Sequence, residues 1–457
     1  MIKVSVVMPC LNMERYIAQS IDSVVNQSLK EIEILIVDAG STDGTINIIE
    51  KYKARDSRIQ LIHSEKKSYG YQMNLAINMA KGEYIGIVET DDYIESDAYE
   101  TLYKEISQTD ADYIKGKGIA FIDQSNFKYK RELLACPDWK TKDRVIVNPK
   151  ENSELFITDN FIWNGIYKKE YLQKFPFRET KGAAFQDIGV LFQVIANANK
   201  IIYLNKPMYY YRQGDLLASS YNHNSLNYVK DEYESLEHFA QTLPDNWKYV
   251  YYKKMAYQCL DRFYFMAFEN VFWKESEKSI DWLKEKINYA INNNILNANN
   301  VSDSNWETMN IFLKDANSLF QFIQKECEER KNVTLQTMKL MKDYEWIVFG
   351  YGISGKNIYN FLHLYNIKVN AFCDNLLEKQ GKNFDNISIL SPSEAVKNYS
   401  NSHFVIANKD HYNEMKKQLI DMGVKAESIH NNNGPQRIFT DFFTFMYLYR
   451  EIQNGKF

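Results

Sequence analysis

Residues 4–45, VSVVMPCLNMERYIAQSIDSVVNQSLKEIEILIVDAGSTDGT, set the fold class. Val4 to Met8 is a short apolar run ending at Pro9. Across residues 14–27, Tyr16, Ile17, Ile21, Val24 and Val25 share one helical face. Ile32 to Val37 is a second apolar run, stopped by the turn-rich Asp38-Ala39-Gly40-Ser41-Thr42-Asp43-Gly44. Thr45 then opens a helix carrying Ile46, Ile49 and Tyr52. Working outward, Ile59 to Ile62 is a third strand, residues 71–81 a helix and Tyr84 to Val88 a fourth strand. Buried strands alternating with helices predict an α/β domain, with a mostly parallel sheet and helices on both faces. Ligands of such sheets bind outside the carboxyl ends of the strands. Polar residues gather there: Asn12 and Glu14 after the first strand, Asp38 after the second, and Glu89, Asp91 and Asp92 after the fourth.

Glu89-Thr90-Asp91 places two carboxylates on one side of an extended segment, because side chains alternate along a strand. Two acids so placed can hold one hard divalent cation, Mg²⁺ or Mn²⁺, completed by substrate phosphate oxygens. The competing structural reading is a solvated acidic turn, or an N-cap for a helix over 95–106. Asp38 before Gly-Ser-Thr likewise suits an ordinary turn.

The 4–45 stretch, followed by NLAINMAKGEYIGIVETDD (74–92), resembles the family 2 inverting glycosyltransferases of GT-A fold. The resemblance is close over about 3–110 and looser to about 220. It implies a nucleotide-sugar donor, UDP-linked by expectation, and a divalent cation. It assigns Asp38 to the nucleotide base and Pro9, Asn12 and Glu14 to the nucleoside pocket. Asn74 and Thr90 join the nucleotide-binding set. Asp91, last in the D-x-D-like motif, serves both nucleotide and metal, with Glu89 as second ligand. Three departures stand out: Glu89 replaces the usual Asp, Ala39 replaces a second Asp, and Ser68-Tyr69-Gly70-Tyr71-Gln72-Met73 lacks the Gly-x-x-Asp-Ala spacing before Asn74.

NFIWNGIYKKEYL (160–172) resembles the family's acceptor-side segment, and AAFQDIGVLFQVIANANKIIYLNKPMYYYRQ (183–213) the stretch with its general base. The resemblance makes Asp187 the base, with Gln186 in place of the first acid of a Glu-Asp pair. Trp163 and Gln186 become acceptor-side residues. An inverting transfer needs one base to take the proton of the attacking hydroxyl. Capping of a helix over 188–196 is the bland alternative for Asp187, and core packing that for Trp163.

Residues 221–335 read as a helical connecting region, with Leu283, Ile287, Ala290 and Ile291 at helical spacing. His223, at its start, reads as a solvated or structural residue rather than a further metal ligand. From 336 to 457 a small Rossmann-like α/β domain is expected, leaving 1–220 as the GT-A domain. Its first unit, WIVFGYGISGKNIYNFLHLYNIKVNAFCDN (346–375), resembles modules appended to bacterial sugar-processing enzymes. It carries Gly350-x-Gly352-x-x-Gly355 and then Asp374, a second candidate nucleotide site. An NAD(P)-dependent nucleotide-sugar modifying enzyme centred there is the alternative function.

Composition narrows the partners. With 55 Lys and Arg against 59 Asp and Glu, the net charge is −4, which points away from nucleic acid. Five scattered cysteines without a C-x-x-C suit a reducing cytoplasm. Residues 1–20 do not read as a secretory signal. The expected acceptor is a glycan or lipid-linked glycan of a bacterial surface polymer, at the inner face of the membrane. Ile438, Phe442, Phe445, Met446, Tyr449 and Ile452 form an amphipathic face over 437–452, suited to packing, to a second subunit, or to peripheral membrane contact.

Overall fold

The computed structural model describes residues 1–124, 127–133, 136, 142–213, 224–268, 276–408 and 411–431. His223 and the expected helix over 437–452 lie outside them. Contacts divide the chain into two units. The first comprises 1–120 and 132–323; the second takes 121–131 together with the chain from 324 onward.

The first unit opens with the predicted alternation. β1 (Val4–Cys10), α1 (Ile17–Val25), β2 (Ile32–Asp38), α2 (Thr45–Lys53), β3 (Ile59–His63), α3 (Tyr69–Met79) and β4 (Tyr84–Ile87) follow in order. β1 and β2 are buried at every position and mostly apolar; of their buried polar residues, Ser5 donates its hydroxyl to Glu33 at 2.6 Å. β1 pairs in parallel with β2 and with β4, and β2 with β3. The order β3-β2-β1-β4 therefore reverses direction between β1 and β4. That reversal opens a crevice at the carboxyl ends.

Beyond β4 the sheet turns antiparallel. β5 (Tyr93–Ile94), α4 (Ala98–Ile106), β6 (Tyr113–Gln124), β7 (Phe127–Leu133), β8 (Arg144–Val147), α5 (Leu155–Thr158), β9 (Gly165–Lys168), α6 (Lys169–Leu172), α7 (Gln186–Asn197) and β10 (Ile201–Arg212) complete it. The path runs β4-β9-β6-β10-β5, with β7 on β6 and β8 on β10. The helical region follows as α8 (Ser225–Thr242), α9 (Asp245–Phe268), α10 (Glu277–Asn292), α11 (Asp303–Lys314) and α12 (Ala316–Met341). No helix among the described residues is long and apolar enough to cross a membrane.

The second unit holds β11 (Trp346–Phe349), α13 (Ile353–Leu364), β12 (Val369–Cys373), β13 (Asn383–Phe384), β14 (Ile387–Leu390), α14 (Pro392–Asn398), β15 (His403–Ile406), α15 (Tyr412–Asp421) and β16 (Ile429–Asn431). Its sheet order is β13-β14-β12-β11-β15-β16, and every pair except β13/β14 is parallel. Ile347, Phe349, Phe404, Ile406 and Leu419 centre its core. Residues 121–131 belong here because Asn357 and Asn360 of α13 donate to the carbonyls of Lys130 and Lys128.

Candidate active site

The crevice between β1 and β4 is tied by side chains from both strands' ends. Thr90 donates its hydroxyl to the Pro9 carbonyl at 2.9 Å. Gln72 of α3, buried, donates to the Cys10 and Val37 carbonyls at 2.9 and 2.6 Å, clamping the ends of β1 and β2. A rim follows. Asn12, at φ 55°, accepts the Thr42 N–H at 2.8 Å, and Glu14 accepts the Gly44 N–H at 2.9 Å. The two loops after β1 and β2 are thereby stitched into one edge.

Asp38 is 2% exposed, and its carboxylate accepts the N–H groups of Gly40 and Ser41 and the Ser41 hydroxyl. It closes its own turn at the crevice edge. Asn74 is taken up differently: its amide donates to the Phe177 carbonyl and accepts the Phe177 N–H, both at 2.9 Å. That reciprocal pair pins the 177 segment against α3, so the structure gives Asn74 a scaffold contact where a nucleotide contact was expected.

After β4 the carboxylates converge. Glu89 accepts the Tyr69 hydroxyl at 2.7 Å, and its N–H donates to the Tyr209 hydroxyl at 3.0 Å. Tyr209 in turn donates to Asp92 at 2.7 Å, and the Arg212 N–H reaches Asp92 at 2.6 Å. The Arg212 side chain donates to the Asp91 carbonyl at 2.7 Å and lies over the Tyr16 ring. Burial pushes Glu89 up to about 8, opposed by the Tyr69 hydroxyl and reinforced by the charges of Asp91 and Asp187. Burial also holds Asp92 well above the carboxylate range, with Asp91 adding to it.

Asp187 lies in the first turn of α7, with Phe185 at the N-cap position and no side-chain cap bond. Burial lifts its carboxyl to about 6, held there by nearby backbone N–H groups and the charges of Lys254 and Lys115. Lys254, from α9, is buried and donates to the Phe156 and Asp159 carbonyls. Burial drags it down to about 7. Lys115 and Asp159 form an ion pair at 2.8 Å with both side chains fully buried. The helical region thus contributes a cation to the surroundings of Asp187.

The two expected acceptor-side residues make internal contacts. Trp163 is 7% exposed and stacks at 4.1 Å on Tyr209 and 5.3 Å on Tyr211, so it braces the tyrosine that holds Asp92 and offers no open face to a sugar. Gln186 is 1% exposed; it accepts the Gly70 N–H and donates to the Arg178 and Thr180 carbonyls. It fastens α7 to α3 and also lines the recess between α7 and α8. Tyr69, Gln72, Tyr209, Arg212 and Lys254 were missed in the sequence. Tyr69 and Gln72 lie in the first turn of α3, in the 68–73 segment that departs from the family spacing, and that departure was the available signal.

For a divalent cation the chain offers Glu89 and Asp91, two residues apart. Among the described residues no group of three or more His, Cys, Asp and Glu is placed to hold a metal alone. A carboxyl pushed up by burial and neighbouring acids is one that a cation would restore to its charged form. The donor set fits a cation whose remaining ligands are phosphate oxygens.

At the second glycine motif, a side chain on Gly355 would meet the Gly350 carbonyl oxygen at 1.9 Å, so this glycine serves close packing of α13 on its own loop. Gly350 has φ 112°, and a Cβ on Gly352 would meet nothing within 4 Å. Asp374 accepts the N–H groups of Tyr351 and Leu376 and pairs with Lys379 at 3.1 Å. Asp374 thus holds the loop that carries the second glycine motif.

A family model described as glycosyl transferase family 2 matches residues 5–185, and one described as C2185-like, N-terminal matches residues 342–430. A glycosyltransferase of Streptococcus pneumoniae serotype 4, GlyG, is 30% identical over 253 residues, 53% of this chain and 80% of its own length. The uncharacterized glycosyltransferase EpsJ of Bacillus subtilis is 29% identical over 218 residues, 46% of this chain and 61% of EpsJ. In fold, the chain is similar to residues 1–349 of Staphylococcus aureus TarS in complex with UDP-GlcNAc. That match has a TM-score of 0.51 and 19% identity, over 72% of this chain and 92% of the other.

Proposed function

This chain belongs to glycosyltransferase family 2, and on that premise we propose that it transfers a sugar from a UDP-sugar to a hydroxyl of a bacterial surface glycan, with inversion. The observation that carries the proposal is the gathering of Glu89, Asp91 and Asp187 around one crevice, where burial and mutual repulsion raise Glu89 and burial raises Asp187. TarS is named as a poly(ribitol-phosphate) β-N-acetylglucosaminyltransferase, and its resemblance supports a surface-polymer acceptor here. A lipid-linked acceptor at the inner membrane face fits the same chemistry.

In this reading the rim of Asn12, Glu14 and Asp38 cradles the nucleoside, with Pro9 and Thr90 forming its floor. Glu89 and Asp91 would hold Mn²⁺ or Mg²⁺, which when bound offsets charge on the departing diphosphate. Asp187 takes the proton of the acceptor hydroxyl as that oxygen attacks the anomeric carbon from the face opposite the leaving group. Its carboxyl, raised to about 6, is mostly ionised at neutral pH yet basic enough to accept the proton. Tyr69 and Tyr209 orient Glu89 from its side chain and its backbone.

Calorimetry of UDP with and without Mn²⁺ tests the assignment. Asp91→Ala should abolish Mn²⁺-dependent UDP binding and transfer, and Glu89→Gln should weaken both less. Unchanged Mn²⁺-dependent binding in folded Asp91→Ala protein would overturn it. A hydrolysis screen over UDP-, GDP- and dTDP-sugars identifies the donor.

A further inference from the structure

A second recess lies in the first unit, between α7, α8 and the 176–178 segment. It has a volume of about 300 Å³ and is lined by Pro176, Arg178, Gln193, Glu232, Ser235 and Phe239, among others. Glu232 is 2% exposed, and its Oε2 meets no hydrogen-bond donor. Its Oε1 pairs with Arg178 at 3.1 Å, and the Arg178 side chain is 40% exposed. Gly189 of α7 makes room for this carboxylate, since a Cβ there would stand 2.7 Å from Oε2. A buried polar oxygen without a partner carries an energetic cost, which marks this carboxylate as one held in place by its surroundings.

We propose that this cleft is a carbohydrate subsite for a single pyranose ring, recognised by the Glu232 carboxylate and the Arg178 guanidinium. The charges select the ligand class. An anion would be repelled by Glu232 and a cation by Arg178, whereas a neutral polyol can donate one hydroxyl to the carboxylate and accept from the guanidinium with another. Gln193 and Ser235 add polar groups, and Phe239 supplies an apolar edge for ring C–H groups. The volume stands at the low end of ligand pockets, about 300–1,000 Å³, which suits one ring and excludes a peptide or nucleotide. Burial lifts Glu232 to about 7, so it can meet a hydroxyl as acceptor or as donor near neutral pH. On the reading of the acceptor as a glycan, this subsite gives the polymer a second point of attachment, raising its effective concentration at the reaction centre.

The test is saturation-transfer NMR on the full chain with methyl β-glucopyranoside, methyl β-galactopyranoside and N-acetylglucosamine, without donor or cation. Transfer to the ring protons of at least one probe is expected. It should fall at least threefold in Ser235→Trp, which fills the recess from an exposed position, and in Glu232→Gln. Ser235→Trp keeps the test decisive should Glu232→Gln fail to fold. No transfer to any probe, or transfer unchanged in folded Ser235→Trp, overturns the proposal. Either result leaves Asp91 and Asp187 untouched, because their tests use UDP and the transfer rate.

Discussion

At the residue scale, Asp187 separates two roles. The helix it begins has Phe185 at its N-cap position, whose side chain makes no cap bond, and the Asp187 carboxylate accepts backbone N–H groups of that first turn. Asn accepts such bonds about as well as Asp, so Asp187→Asn keeps size and helix contacts and removes the proton acceptor. The transfer rate should drop ~10²–10⁴-fold, with UDP affinity and melting temperature near wild type. In the unmodified protein the rate should climb with pH through about 6, as Asp187 ionises. Initial rates across pH 5–8 measure both. A rate within threefold of wild type would send the search for the base elsewhere. Asp187 was legible because it matches a family motif in the right place. Lys254 was not: nothing local distinguishes it from the adjacent Lys253, and only the packing of α9 brings it against Asp159.

At the element scale, the buried pair Lys115–Asp159 ties β6 to the segment after α5, and the Tyr203 hydroxyl of β10 donates to the same carboxylate at 2.9 Å. Removing one partner strands a charge in the core. Lys115→Met should cost about 3–5 kcal/mol of unfolding free energy, read from urea denaturation. Adding Asp159→Asn should recover part of that loss; a double variant less stable than Lys115→Met would show that the pair's charge is not what matters. The parallel half of the sheet was legible because β1, β2 and β4 are mostly apolar runs bounded by turn residues. The antiparallel half was not, because β6, β9 and β10 interleave lysines, glycines and tyrosines whose burial depends on partners distant in sequence.

At the scale of the whole molecule, several carboxyls are held above their ordinary values: Asp187 at about 6, Glu232 at about 7 and Glu89 at about 8. Each keeps a proton in the folded state that the unfolded chain has released. Their contribution is thus greatest below about pH 4 and is lost as pH rises through those folded values. His430, pushed down to about 4, acts oppositely between there and the ordinary histidine value of 6.5, and Lys254 opposes above about 7. With Asp92 raised as well and His403 lowered beside His430, four acids against two histidines leave a net decline, so the melting temperature of the metal-free protein should be lower at pH 7 than at pH 5. A higher melting temperature at pH 7 would mean these acids are not buried together. The sequence by itself determined the alternating α/β start, the crevice at its strand ends and the acids after β4, because apolar periodicity and turn chemistry are local. Only the tertiary structure shows which internal contacts Asn74, Gln186 and Trp163 make, and that Asp374 accepts from its own loop. Only it placed a lysine from α9 near Asp187 and left Glu232 Oε2 without a donor. Those outcomes depend on which distant backbone groups and charges each side chain meets, and spacing along the chain carries no record of that.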